Sequence, residues 1–322
     1  MTSVRRVIAA CLCMGTAALI LMTNDCMALD KRLSSSLSHY IMATMYDSLQ
    51  KEDRAITEYK KALDQDKKNT LIHLGLASAY LKANEIDKAV DELNLVVKLD
   101  PAGVEAHAIL SLVYFLQNNN DLANKEYELA LKNASILDPQ SLEIYKGLGL
   151  LYIRQKKFDS AAATYKKVLE LSKEDAEAHF YLGSIYFELG DKAKAEQELE
   201  KALSLKADYA QALNFLGYFL AGENKSLDRA EVLVKKAIEM DPNNGAYIDS
   251  LGWVYFKQGK AEEALKLLLK SAALIDDPEI FGHLGDVYFK LGDKAKARTS
   301  WEKSLKANPG QKEIEKKIEA VK

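Results

Sequence analysis

Small and large apolar residues recur along this chain with a period close to 34 residues. In seven of the eight periods a tyrosine stands nine residues before an alanine. Successive alanines of this kind are 33 to 38 residues apart: Ala55, Ala89, Ala123, Ala161, Ala195, Ala230, Ala264 and Ala297. A repeat of this length indicates one supersecondary element copied in tandem, so we expect a solenoid.

The apolar positions within one period fall on the faces of two helices. In the second period, His73, Leu76 and Tyr80 share one face of a helix, and Ala89 and Leu93 share a face of the next. Asp-Pro or Asn-Pro follows the second helix at 100–101, 241–242 and 308–309, and proline disfavours the helical conformation in the residue before it. The pattern therefore predicts tandem helical hairpins.

These columns resemble the tetratricopeptide repeat (TPR) family over residues 36–311. The resemblance implies an all-α fold, a right-handed α-solenoid (superhelix) of eight helix-turn-helix repeats. The predicted repeats are 36–69, 70–103, 104–141, 142–175, 176–209, 210–244, 245–277 and 278–311, after a short lead segment at 29–35. Four extra residues near 135–140 predict a second helix longer by about one turn.

The last residues, 312–322, are mostly charged but carry Ile314, Ile318 and Val321 on one side. A solenoid needs a terminal element with a polar outer face, because its last repeat would otherwise expose an apolar flank. The pattern predicts a C-terminal capping helix.

The first 28 residues differ from the repeats. Arg5 and Arg6 precede an apolar stretch over residues 7–22, and Cys26 and Ala28 are small residues placed as at a cleavage site. This pattern is typical of a secretory signal peptide, and it predicts an exported protein of the periplasm or cell envelope. The alternative is an uncleaved membrane anchor formed by residues 7–22. All three cysteines lie in this segment, so we expect the mature chain to lack disulfides and thiolate metal sites.

Charge and motifs argue against nucleic-acid binding and against catalysis. The net charge of −3 provides no basic excess for a phosphate backbone. The sequence contains no HExxH, GxSxG or glycine-rich phosphate loop, and the Gly-Leu-Gly string at 147–149 follows no predicted strand. We expect a protein that is not an enzyme and has no cofactor.

The histidines raise the question of a metal site. Four of the five occupy the same position of the repeat: His39, His73, His107 and His179. Equivalent positions of successive repeats lie too far apart to ligate one metal, because packed helices are about 8–10 Å apart. We interpret these four as packing residues and expect no metal site.

The resemblance implies that certain positions of each first helix face a concave groove where partners bind. Aromatic side chains in such a groove are common anchors for peptides. The candidate partner-binding residues at those positions are Phe115, Phe180, Phe187, Tyr218, Asp249, Trp253, Phe256, Asp286 and Phe289. The alternative is that these rings pack within or between repeats. His283 is the only histidine outside the packing column, and it is the only one that could line the groove.

One binding mode of the family is not expected. Its members that hold a C-terminal carboxylate use a lysine and an asparagine of the same helix. Here the repeat that carries Lys146 has Leu150 at the asparagine position.

The predicted function is a noncatalytic scaffold or adaptor that binds a segment of a partner protein along the concave face. Residues 247–253 and 283–288 resemble repeat proteins of the bacterial envelope, so the expected setting is a cell-envelope assembly. The alternative is a carrier or assembly factor for envelope polysaccharide or lipid, because aromatic faces also stack on sugars. Membrane contact is expected only through an uncleaved N-terminal segment.

Overall fold

A computed structural model describes residues 29–321, so the signal-peptide prediction for residues 1–28 lies outside the described residues. Within that range the chain forms helices and contains no strand. The helices are α1 (29–48), α2 (Glu52–Gln65), α3 (Thr70–Lys82), α4 (Ile86–Leu99), α5 (Val104–Leu116), α6 (Asn120–Leu137), α7 (Leu142–Arg154), α8 (Phe158–Leu171), α9 (Ala176–Glu188), α10 (Lys192–Leu205), α11 (Ala210–Gly222), α12 (Leu227–Met240), α13 (Gly245–Lys257), α14 (Ala261–Leu274), α15 (Pro278–Lys290), α16 (Lys294–Ala307) and α17 (Lys312–Glu319).

The residues that the structure describes divide into two compact units between Ile144 and Tyr145, which we call the N-terminal and C-terminal units. In each unit helices that follow one another in sequence pack together. In the C-terminal unit the first helices of successive pairs also contact each other, α11 with α13 and α13 with α15. This arrangement confirms the predicted all-α solenoid class. The handedness of a superhelix stays a prediction.

The turn between the two helices of each pair has one recurring conformation. A residue with positive φ follows the first helix, and the N–H two or three residues beyond that helix donates back to its last turn; the turn between α11 and α12 has a second such residue, Ser226. In the second pair, Asn84 has φ 59° and the Glu85 N–H donates to the Tyr80 carbonyl at 2.8 Å. This is the Schellman arrangement that satisfies terminal carbonyls. Glycine occupies the positive-φ position at residues 190, 259 and 292, as is common for this motif.

The recurring alanines and glycines are buried because large side chains of the partner helix lie over them. Gly149 on α7 is such a position: a Cβ there would lie 2.6 Å from Cε2 of Tyr165 on α8. The Gly-Leu-Gly string at 147–149 is thus part of a helix packing face. Tyr165 itself is fully buried, like Leu199 and Trp301 at the equivalent position of later pairs.

The longer second helix and the C-terminal capping helix that the sequence predicts are both present. α6 has 18 residues, whereas the second helices before and after it, α4 and α8, have 14. The four extra residues therefore lengthen one helix, as predicted. At the C-terminus, α17 buries Ile314 against the cluster of Ala297 and Trp301.

Among residues 29–321 no helix combines the length and apolarity needed to cross a membrane.

Candidate functional site

Trp253 of α13 is held in place by side chains of α13 and α15. Its ring stacks on the imidazole of His283, with the centroids 4.1 Å apart and the planes at 18°. On its own helix, the Phe256 ring is 5.2 Å away and the Lys257 ammonium lies 4.6 Å from the indole centroid. The indole is half-buried. A ring that is ordered before binding loses little entropy when it contacts a partner.

Asp249 and His283 form a buried ion pair beneath Trp253. The imidazole Nδ1 lies 3.0 and 3.1 Å from the two carboxylate oxygens, and the two residues are 5% and 7% exposed. Burial by itself lowers the pKa of His283, but the Asp249 carboxylate, with Glu279 and Asp286, raises it more, so the pKa lies above its usual value. Asp249 is too buried to contact a partner; it orients His283 and raises the pKa of its imidazole.

Tyr218 connects α11 to the same cluster. Its hydroxyl donates a hydrogen bond to Oε1 of Glu279 at the start of α15, and its ring lies 6.1 Å from that of His283. Burial, and then the Glu279 carboxylate, raise the pKa of Tyr218 well above its usual value. The phenol is therefore a fixed donor at neutral pH, and it holds Glu279 in one position.

Asp286 links α15 to α16 and α17. It accepts the indole N–H of Trp301 at 3.1 Å and both of its oxygens lie 2.7 Å from the Lys317 ammonium. Phe289, one turn further along α15, is 47% exposed and lies 5.8 Å from the Trp301 ring. The capping helix is thus tied to a residue of the predicted site.

Two cavities adjoin this cluster, and both include Asp286 and Lys317 in their walls. The first, of about 270 Å³, we call the aromatic cavity; it is lined by Phe256, Asp286, Phe289, Lys290, Trp301, Lys317 and Ala320. The second, of about 470 Å³, we call the polar cavity; it is lined by Trp253, Asp277, Pro278, Glu279, Gly282, His283, Asp286, Asn308, Gln311, Ile314 and Lys317.

Phe180 and Phe187 of α9 lie in a different aromatic group. Phe180 contacts Tyr209 and Phe215, with centroids 5.1 and 6.1 Å apart, and Phe187 contacts Phe215 and Phe219 at 5.5 and 6.2 Å. Both phenylalanines are half-buried. Their edge-to-face contacts join α9 to α11, which is the packing alternative considered for these rings.

Phe115 lies on α5 in the N-terminal unit and is 62% exposed. The structure therefore brings six candidates of α11, α13 and α15 together in one region: Tyr218, Asp249, Trp253, Phe256, Asp286 and Phe289.

The histidine column has partners that sequence reasoning missed. In each case Nδ1 of the histidine lies 2.6 Å from Oε2 of a glutamate nineteen residues later, on the second helix of the same pair. The four pairs are His39 with Glu58, His73 with Glu92, His107 with Glu126 and His179 with Glu198. Among residues 29–321, no group of three or more metal-ligating side chains is assembled.

A signal for these pairs is present in the sequence. Every repeat with histidine in that column has glutamate nineteen residues later, and the other four repeats have neither residue. Their residues at the glutamate position are Thr164, Leu233, Leu267 and Ser300. Comparison of columns in pairs would have revealed the contact; each column alone does not.

Lys146, the lysine considered for a carboxylate clamp, already has two acidic partners. Its ammonium lies 2.7 Å from Asp175 and 2.7 Å from Glu177. Two carboxylates already compensate the charge of this lysine, so its attraction for a C-terminal carboxylate is weak.

Sequence reasoning also missed Glu279, Trp301 and Lys317, each of which lines one or both of the cavities. Trp301 fills a packing position of α16, and Lys317 belongs to the predicted cap, so neither was sought in a binding region. Only the fold shows that the cap forms part of the wall of both cavities and that α16 forms part of the wall of the aromatic cavity.

Four family models, each described as tetratricopeptide repeat, match residues 49–113, 146–210, 245–275 and 278–311. Together they cover more than half of the chain. The chain belongs to the tetratricopeptide repeat family. TPR helix pairs stack into extended surfaces, and the fold is one of protein-interaction scaffolds.

Curated relatives match parts of this TPR chain. A TPR repeat-containing protein of Pseudomonas aeruginosa is 35% identical over 96 residues, 30% of this chain and 16% of that protein. The human protein O-mannosyl-transferase TMTC3 is 29% identical over 159 residues, 49% of this chain and 17% of the transferase. The type IV pilus assembly protein PilF of Pseudomonas aeruginosa is 28% identical over 144 residues, 44% of this chain and 57% of PilF. The chain spans less than two thirds of each relative.

Solved TPR structures share the fold. A tetratricopeptide repeat protein from Parabacteroides merdae aligns with a TM-score of 0.61 over 78% of this chain and 98% of its own, at 16% identity. A chain of the APC/C hetero-tetramer aligns with a TM-score of 0.58 over 84% of this chain and 52% of its own, at 18% identity.

Proposed function

We propose that this TPR protein is a noncatalytic adaptor that binds a segment of another protein on the surface formed by α11, α13 and α15. The observation that carries the proposal is the setting of Trp253: it is half-buried, it stacks on His283 and Phe256, it lines the polar cavity, and Phe256 lines the aromatic cavity. Interfaces concentrate their binding energy in ordered aromatic residues of this kind, next to pockets that receive the partner's side chains.

The absence of a catalytic role is part of the proposal. Among residues 29–321, the one buried Asp–His pair, Asp249 with His283, has Trp253 stacked on its ring, and no serine or threonine hydroxyl hydrogen-bonds to that imidazole. The match to the human transferase spans only 17% of that protein, so it does not carry the transferase activity over to this chain.

We place the adaptor in a cell-envelope assembly, after export. Support comes from the signal-like pattern of residues 1–28 and from the similarity to a pilus assembly protein. Binding of an envelope glycan or lipid by the same rings would be the competing outcome of the test.

Site-specific crosslinking in cells tests the proposal. A photoreactive amino acid at Lys290, which lines the aromatic cavity, should capture a protein, and the same group at the exposed Lys270 of α14 should not. Trp253→Ala should remove the Lys290 adduct while helicity, measured by circular dichroism, is unchanged. Equal adducts at both positions, or only glycan or lipid adducts at Lys290, would contradict a protein partner at this surface.

A further inference from the structure

The aromatic cavity and the polar cavity are neighbours with different chemistry. The Asp286–Lys317 pair is part of the wall of each, so a partner that crosses this pair meets both. The aromatic cavity presents three rings, those of Phe256, Phe289 and Trp301. The polar cavity presents carboxylates together with other polar groups, among them His283, Asn308 and Gln311.

The charges of the polar cavity do not balance. Lys317 is matched by Asp286, and His283 is matched by Asp249 from beneath. Two lining carboxylates, Asp277 and Glu279, have no cation within salt-bridge distance among the described residues. The cavity therefore carries about two uncompensated negative charges, which favours a cationic ligand.

The position of these carboxylates is only partly explained by the helix. Asp277 caps α15 by accepting the Glu279 N–H at 2.8 Å, and both residues benefit from the helix dipole. The helix dipole does not explain the hydrogen bond that the Tyr218 hydroxyl donates to Glu279. Tyr218 belongs to a different repeat, and its bond fixes the Glu279 carboxylate at the cavity. Such a bond arranges the carboxylate before any ligand is present.

Trp253 lines the same cavity, but His283 and Lys257 already lie over its ring. The preference for a cation therefore comes from Asp277 and Glu279. Arginine suits two carboxylates better than lysine, because its planar group presents N–H donors in a fork that matches carboxylate geometry.

The aromatic cavity favours a different side chain. Its three rings offer apolar walls, and Phe289 is exposed enough to be reached from solvent. Lys290 lies at its rim and Lys317 is neutralised by Asp286. Burial of an apolar side chain here removes ring surface from water at little polar cost.

We propose that the partner segment carries an apolar side chain that enters the aromatic cavity and an arginine or lysine that enters the polar cavity, at most four residues away. The spacing follows from the shared wall: neighbouring side chains on one face are two residues apart in an extended peptide and three or four apart in a helix. This inference rests on the proposed function and names the chemistry of the partner.

Selection from a library of short random peptides with the immobilised full chain tests it. Enriched peptides should contain a cation within four residues of a large apolar residue. In a fluorescence polarisation titration, replacement of that cation by glutamine should weaken binding about tenfold. Enrichment of peptides without a cation, or no enrichment at all, would overturn the inference.

Matched variants assign the two preferences to the two cavities. Glu279→Gln should abolish the discrimination between arginine and glutamine peptides, whereas Glu262→Gln, an exposed residue at the equivalent position of α14, should preserve it. Phe289→Ala should abolish the preference for the apolar residue, whereas Leu269→Ala, at the same 47% exposure, should preserve it. Equal behaviour of each variant and its control would refute the assignment.

The outcome separates this inference from the proposed function. If Trp253→Ala abolishes partner capture while Glu279→Gln and Phe289→Ala leave it intact, the adaptor role stands and the stated partner chemistry is wrong. If Trp253→Ala also leaves capture intact, both are wrong.

Discussion

His73 on α3 and Glu92 on α4 face each other across the interior of one helix pair, with Nδ1 2.6 Å from Oε2. The other imidazole nitrogen, Nε2, lies 3.0 Å from the carbonyl oxygen of Lys67 in the segment before α3. A single histidine therefore joins both helices of a repeat to the connection that precedes them. The recurrence of this pair in four repeats makes it a structural unit that can be tested.

Removal of one partner should cost more than removal of both. We expect Glu92→Leu alone to destabilise the protein by about 1–3 kcal/mol, because the buried imidazole loses its partner. The double variant His73→Leu with Glu92→Leu should recover part of that loss, since the sixth repeat has Leu213 and Leu233 at these positions. Chemical denaturation of the two single variants and the double variant gives the interaction free energy between His73 and Glu92. Strictly additive effects would show that the pair does not act as a unit.

Two glycine substitutions should have opposite signs. Gly149→Ala would place a Cβ 2.6 Å from Tyr165, so we expect a loss of about 1–3 kcal/mol from overpacking. Gly222→Ala at the end of α11 meets nothing within 4 Å, and the gain in helix propensity should stabilise it by up to about 1 kcal/mol. Both values come from denaturation midpoints. A neutral Gly149→Ala would mean that the α7–α8 contact is looser than described.

The Asp249–His283 pair should make stability depend on pH. The pKa of His283 is higher in the folded protein than in an unfolded chain, so the pair contributes fully below about pH 6.5 and its contribution is lost as the pH rises through the folded pKa. Asp249→Asn should therefore destabilise the protein more at about pH 5.5 than at about pH 8.5.

NMR titration of the imidazole provides an independent check. His283 should titrate above the usual value for histidine in the native protein, and Asp249→Asn should lower that value. Glu279 and Asp286 also face the ring, so in the variant they should offset part of the lowering of the pKa that burial causes. An unchanged titration in Asp249→Asn would contradict the pairing.

The capping helix α17 should detach when its apolar anchor is removed. Ile314 is almost fully buried, whereas the Lys317–Asp286 ion pair is partly exposed and stabilises less. Ile314→Ala should increase amide hydrogen exchange in α17 while exchange in α13 stays unchanged. Lys316→Ala, on the exposed side of the same helix, is the control and should change neither. Protection of α17 in Ile314→Ala would mean that the cap is held mainly by its charges.

Periodicity predicted the helices because small and large residues repeat in register. Ala89 and Leu93, chosen from columns alone, are fully buried. The candidate surface was predicted less completely. Trp253 and Phe289 were identified because they lie off the packing columns. Glu279 and Lys317 were missed because their role depends on which helices become neighbours, and no local pattern records that Tyr218 reaches Glu279 across two repeats.

The paired His–Glu columns have a consequence for consensus design. A consensus sequence averages each column of a repeat family independently, and in this chain histidine and glutamate each occupy their column in half of the repeats. A column-by-column average could join His73 of one repeat type to the leucine of another, which would bury an imidazole without its carboxylate. The information that specifies these repeats is therefore stored in combinations of residues, and a designer must copy or replace both members together.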